Sequence, residues 1–209
     1  MKKISNLILA FLMSLFIITS IVKFTVVFKP LYYFDIKHLN IPILSGMSEE
    51  EIKLNYDYLI KYNTSYRDYE FNMPTLKSSI QGKIHFEEVR DVFKVLNKIN
   101  IISGVISVLG IYIVLKKKEI KIIKYAGIIS ILIPIFLLIP ITIQFEKSFE
   151  IFHRLIFNND YWIFDPSKDP VINMLPAEFF LHCGVVILTG ILIFSSIILI
   201  IYKMLKNKR

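Results

Sequence analysis

The chain has 209 residues, 55% of them hydrophobic, with a mean hydropathy of +0.57 and a formal charge of +8. Its apolar residues are gathered into blocks long enough to cross a bilayer core of about 30 Å, which excludes an ordinary soluble domain. The basic residues cluster beside these blocks, so the charge reads as a topogenic signal and nucleic acid is excluded as a partner.

The first block runs from Leu7 to about Phe28, behind Lys2 and Lys3. Lys23 interrupts it near one end, where its ammonium is expected to snorkel to the headgroups. No small-residue pair marks a convincing cleavage site, so the block is expected to remain as an uncleaved anchor. A polar segment follows, about 29–94, too aromatic to be a disordered tail. His38 is expected at its surface. Ser48 with Glu51 three residues on makes a capping-box pattern, and Tyr58, Tyr62, Tyr66 and Tyr69 then fall on one helical stripe. Tyrosines at this spacing are expected to be interfacial anchors. Met73–Gly82 reads as a loop. Ile84–Val92 then reads as helix, with His85, Glu88, Val89 and Val92 on one face, running on into the second apolar block, Ile99–Leu115.

Lys116, Lys117, Lys118, Lys121 and Lys124 separate that block from the third, Tyr125–Ile143, in which Pro134 and Pro140 are expected to kink the helix rather than end it. The second polar segment, about 145–177, is expected to begin as an extension of the third helix. Phe145, Phe149, Phe152 and Ile156 form one stripe, and Glu146, Glu150, His153 and Phe157 an adjacent one. Asx residues and prolines then make a turn-rich loop, in which Tyr161, Trp162 and Phe164 suit the membrane interface. The fourth block, about 179–201, carries His182 and Cys183 in its outer turn. His182 is expected to bond a backbone carbonyl, and the single cysteine reads as a structural thiol that leaves no intrachain disulfide. Lys203, Lys206, Lys208 and Arg209 close the chain.

Four spans put all three basic clusters on one side, the cytoplasm, with both termini there and both polar segments outside. The expected fold is an all-α membrane protein, a single integral membrane domain of four transmembrane helices with a helical, aromatic-rich extracellular cap.

His85 and His153 come from separate outer segments. Each stands beside a transmembrane helix with a carboxylate one helical turn away, Glu88 and Glu150, a spacing at which the two groups can meet. Such spacing also arises by accident. A metal site would want a third ligand, which Asp160, Asp165 or Asp169 could supply. No His-Glu-x-x-His, Gly-x-Ser-x-Gly or Ser-x-x-Lys pattern occurs. If the site is enzymatic, two histidines acting as base and acid near neutral pH fit best.

Two stretches resemble a known family. Ile84-His85-Phe86-Glu87-Glu88-Val89 is the first. The second is Phe152-His153, then Asn159-Asp160-x-Trp162-x-x-Asp165-Pro166-x-x-Asp169, ending Leu175-Pro176-x-x-Phe179-Phe180. Together with the span count they resemble the bacterial four-span membrane proteins that include the lipoprotein intramolecular transacylase. That family often has Asp-Val where this chain has Glu88-Val89, which leaves the role of Glu88 open. The resemblance implies an acyl shift on outer-leaflet lipoproteins of the bacterial cytoplasmic membrane. The sn-2 chain of a diacylglyceryl-cysteine would move onto the cysteine α-amine, with no cofactor and no metal. It implies His85 and His153 as the catalytic residues, His85 as base and His153 as acid or carbonyl polariser, or the reverse. Glu88, Glu150, Asp160, Trp162 and Asp165 would support them or position substrate. Partners would be a diacylated lipoprotein and membrane lipid. Another acyl transfer or hydrolysis on an outer-leaflet lipid, and a non-enzymatic membrane partner protein, stay open at this point.

Overall fold

The structure is a computed structural model that describes residues 2–208, with the backbone course only for 2–3 and 137–143. All regular structure among the described residues is helical: α1 (Lys2–Val27), α2 (Lys29–His38), α3 (Ile41–Ser45), α4 (Glu49–Asn63), α5 (Ile80–Lys117), α6 (Lys121–Ile143), α7 (Phe145–Ile156), a 3-10 turn (Pro170–Met174) and α8 (Ala177–Asn207). Two compact units divide the chain. One comprises Met1–Thr25, Leu96–Thr142 and Val185–Arg209, the other Val26–Val95 and Ile143–Gly184.

Among the described residues, three helices are long and apolar enough to cross a membrane: Ile4–Val27, Ile80–Lys117 and Ala177–Asn207. The third block of the sequence falls on α6. Its last residues, 137–143, and with them the bend expected at Pro140, lie outside the described side chains. Pro134 sits inside α6, which runs on past it.

In the first unit Ala10, Met13, Val114, Ile122, Ile123 and Ala126 form a small buried core. Phe11, Ile102, Val108 and Phe194 stay exposed, as a lipid-facing surface requires. Several polar side chains there find partners within the unit, though the buried Ser195 hydroxyl has none among the described residues. Ser14 Oγ lies 2.8 Å from the Ala10 carbonyl and 2.9 Å from that of Ala126. Asn100 donates to Thr19 and Ser20. The Lys23 ammonium donates to the side-chain carbonyls of Asn97 and Asn100. An apolar cavity of about 750 Å³ opens between α1 and α8, lined by Phe16, Ile21, Phe24, Val186 and Phe194 among others.

The second unit has an aromatic core. Tyr32 stacks on Tyr56 at 3.7 Å between ring centroids, and Phe71 on Phe86 at 4.5 Å. The buried Tyr32 hydroxyl donates to the Met174 carbonyl at 2.6 Å, giving the ring's polar end the partner it needs. Ser48 caps α4 as the capping pattern predicts, its Oγ accepting from the Glu51 N–H at 3.1 Å. The reciprocal half is absent, because the Glu51 carboxylate accepts from Thr75 instead. The tyrosine stripe is corrected here. α4 ends at Asn63, so Tyr66 and Tyr69 lie beyond the helix, and Tyr62 is a fully buried core residue beneath the Arg90 guanidinium. A second correction concerns α7. Gln144 leaves helical geometry (φ −149°, ψ 89°), so α7 is a separate helix and not a continuation of α6.

Thirty-eight residues at 1.5 Å each make α5 about 57 Å long, far more than a bilayer core of about 30 Å needs. Its apolar stretch begins near Ile99. The earlier turns, with His85, belong to the second unit.

Candidate active site

The site begins with the cap of α5. Ser79 precedes the helix, and its Oγ accepts from the Gly82 N–H at 2.9 Å. The buried Asp169 carboxylate accepts from the Ser79 N–H and from its hydroxyl, each at 2.7 Å. It lies so close to Gly82 that a side chain there would collide with it, so the backbone approach requires glycine. Asp169, a candidate metal ligand by sequence, is therefore the residue that fixes the start of the helix carrying His85.

His153 is buried on α7, and its Nδ1 stands 2.8 Å from the Phe149 carbonyl. A carbonyl only accepts, so Nδ1 carries the hydrogen and the neutral ring keeps its lone pair on Nε2. The rings of His85 and His153 face each other with centroids 6.0 Å apart. Aromatic rings surround them. Phe157 lies 4.8 Å and Phe164 5.4 Å from His85, and Phe149 lies 4.1 Å and Trp162 4.9 Å from His153. Burial first, and then the neighbouring His153, pushes the His85 pKa down to about 4. Burial also lowers that of His153, opposed by the hydrogen bond to Phe149. Both rings are neutral at pH 7.

Asn159 ties the site together. Its Nδ2 donates to Glu88 Oε1 at 2.7 Å, its Oδ1 accepts from the Tyr161 N–H, and its backbone carbonyl accepts from Trp162 Nε1 at 3.1 Å. The indole held in this way lies against His153. The sequence puts Asn159 in the family motif and in the turn-rich loop but gives it no role at the site. The available signal was its position two residues before Tyr161, where an Asx side chain closes a turn on the backbone.

The carboxylates differ from expectation. Glu88 does not bond His85; it bonds Asn159, and its Oε2 is buried without a partner, as is His85 Nδ1. Glu150 does not orient His153. It accepts from Arg154 Nε at 2.9 Å on the exposed side of α7, while the Phe149 carbonyl takes the histidine. Asp160 faces Arg154 at 3.8 Å in solvent, and Asp165 accepts from the Ser167 N–H and hydroxyl in its own turn. The structure thus gathers His85, His153, Glu88 and Trp162 and leaves Glu150, Asp160 and Asp165 outside. None of the three aspartates suggested as a third ligand belongs to a metal-binding group among the described residues.

His182 is also corrected. Its Nδ1 lies 2.8 and 2.9 Å from the two carboxylate oxygens of Asp35, not on a backbone carbonyl. Asp35 is fully buried, and a buried carboxylate requires such a partner. His38 is at the surface as expected, with its ring against Phe34. Cys183 is a free thiol packed on the aromatic core.

The family model described as lipoprotein intramolecular transacylase Lit matches residues 7–180. The chain belongs to the Lit family. Solved structures of a Bacillus cereus Lit, a membrane-integral protein, share its fold at 41% identity. One covers 99% of this chain and 96% of its own, with a TM-score of 0.95. Two more are H85R and H85A variants of that protein. Each covers 99% of this chain, with 92% and 94% of their own chains covered and TM-scores of 0.90 and 0.91. No curated protein sequence matches the chain. Lit membership carries the activity class, an intramolecular acyltransferase that acts on lipoproteins.

Proposed function

We propose that this Lit-family protein moves the sn-2 acyl chain of a diacylglyceryl-cysteine lipoprotein onto the cysteine α-amine, giving a lyso-form lipoprotein, with His85 and His153 as its catalytic residues. The observation that carries this reading is the meeting of two neutral, buried imidazoles from separate helices, their ring centroids 6.0 Å apart, close enough to serve one reacting centre. That a histidine, numbered 85 in the Bacillus cereus protein, is the residue altered in two of the related structures supports a working histidine in the family.

The chemistry follows from the rings. An α-amine has a pKa of about 7.7–8.0 and arrives largely as ammonium. On its way to an amide that nitrogen loses two protons. His85, whose lone pair is free at neutral pH, takes the first and passes it to solvent. The amine then attacks the ester carbonyl carbon. His153 takes the second proton on Nε2 and delivers it to the glyceryl oxygen as the carbon–oxygen bond breaks. The Phe149 carbonyl stabilises the ring while it holds both protons. Amine and ester sit on one lipid, so holding them in attack geometry supplies much of the acceleration, roughly 7–11 kcal/mol in favourable intramolecular cases. No covalent acyl-enzyme is needed.

This reading includes four spans, with α6 as the third, and one integral domain in the bacterial cytoplasmic membrane. The lysines between α5 and α6 and at both chain ends argue for cytoplasmic termini, and hence for an extracellular aromatic cap that carries the site. The test is tandem mass spectrometry of a reporter lipoprotein's N-terminal peptide, from a host lacking this activity, with and without the protein. Intact mass cannot serve, because the shift is an isomerisation. An N-acyl, S-monoacylglyceryl fragment pattern that disappears in His85→Ala and His153→Ala is the expected result. An unchanged diacylglyceryl peptide, with the protein correctly inserted, overturns the reading.

A further inference from the structure

Glu88 Oε2 and His85 Nδ1 stand one helical turn apart on α5, and both are buried without a hydrogen-bond partner. The other Glu88 oxygen is held by Asn159, whose own Oδ1 is engaged by the Tyr161 N–H, so the carboxylate is fixed with one oxygen free. The cations of the neighbouring turns have carboxylates of their own: Lys83 pairs with Glu70 and Arg154 with Glu150, while Arg90 reaches Asp68 and the Tyr69 carbonyl through its terminal nitrogens and leaves only its buried Nε unpartnered. A desolvated carboxylate oxygen is costly to leave unpaired, and this one lies one helical turn from the His85 ring, whose unpartnered Nδ1 is a base in the tautomer that carries its hydrogen on Nε2.

We propose that Glu88 and His85 together form the seat of the substrate's α-ammonium, with Asn159 as the positioning residue that aims the carboxylate. This rests on the acyl-shift reading above and names the group by which the site recognises its substrate. An ammonium has three donors. One meets Glu88 Oε2 in a charge-assisted bond, and a second meets His85 Nδ1. When the N–H bond to His85 breaks and the Nδ1–H bond forms, the positive charge moves from the amine to the ring, one turn from Glu88. The same carboxylate therefore balances the cation before and after transfer. The product amide carries no charge and a single hydrogen, so the seat favours substrate over product. A lipoprotein whose amine is already acylated is rejected for the same reason.

The experiment uses the full-length protein in detergent and a cysteine lipopeptide with two ether-linked chains, which cannot transfer them. Binding of its free-amine form is compared with that of its α-N-acetyl form. Wild type is expected to prefer the free amine by about tenfold or more at pH 7, the scale of one charge-assisted bond. Glu88→Gln should remove the preference by weakening the free-amine form alone, leaving the N-acetyl form within about twofold. Asn159→Ala should move it the same way by less. A Glu88→Gln protein of unchanged thermal stability that keeps the preference overturns the proposal. So does a wild-type preference that stays flat as pH rises past about 8, where the amine loses its charge; this arm needs no variant. If wild type binds neither form, the lipoprotein reading itself fails, and the ammonium seat with it.

Discussion

Asp169 accepts two hydrogen bonds from Ser79, one from its backbone N–H and one from its hydroxyl, both at 2.7 Å. The bond pair joins the loop before Pro170 to the first turn of α5, and His85 follows six residues after Ser79. Asp169→Ala removes both acceptors from a buried setting. It should lower thermal stability, by about 1–3 kcal/mol for the stranded donor, and reduce acyl transfer by disturbing His85. Asp169→Asn should fall between, since it keeps one acceptor. Equal melting temperatures for wild type and Asp169→Ala would show that the cap does not hold the helix.

The pH dependence has a definite sign. His85 has a pKa of about 4 in the folded protein, against an ordinary 6.5. Between those values the unfolded chain binds a proton that the folded chain refuses, so stability falls as pH drops from about 6.5 to about 4. The loss is on the order of 3 kcal/mol at most. Since His153 is also shifted downward, kcat/KM should show no limb at 6.5 and should decline only in more acid solution. A histidine limb near 6.5 in the pH–rate profile would contradict the burial of the pair.

The Asp35–His182 pair serves stability. His182→Ala leaves a fully buried carboxylate alone, a change that costs about 3–5 kcal/mol. The double variant Asp35→Asn, His182→Ala removes the stranded charge and should recover part of that loss. Thermal unfolding of the two proteins in one detergent decides it. If the double variant is the less stable, the carboxylate has another partner.

Trp162 and Glu150 separate site from surface. Trp162→Ala removes both the wall of His153 and the bond to Asn159, and transfer should fall at least about tenfold, the equivalent of roughly 1.4 kcal/mol. Trp162→Phe keeps a ring and should lose less. Glu150→Gln breaks only an exposed pair with Arg154, and its initial rate should stay within about twofold of wild type. Initial rates with the reporter lipoprotein distinguish the three.

Much of this was legible in the sequence. Apolar blocks and 3.6-residue periodicity located α1, α5, α8 and the two histidine segments, because burial in a helix imposes that period. What they left open were choices among partners. The spacing of Glu150 and His153 permits contact, yet Arg154 offers the carboxylate a charged partner one residue further on, and the helix's own Phe149 carbonyl reaches the imidazole first. Asp35 and His182 are 147 residues apart, and no local pattern pairs them. The tyrosine period ran past the real end of α4 at Asn63, where Thr64 and Ser65 already marked a turn. The break at Gln144 has neither glycine nor proline to announce it.

The amide of Asn159 is also a chemical clock. Its nitrogen donates to Glu88 Oε1 at 2.7 Å. Spontaneous deamidation, to which asparagine is prone, would exchange that donor for a second carboxylate and set two like charges against each other. Aged protein would then lose this arrangement, and a one-dalton gain at this residue would mark the fraction in which Glu88 is no longer held.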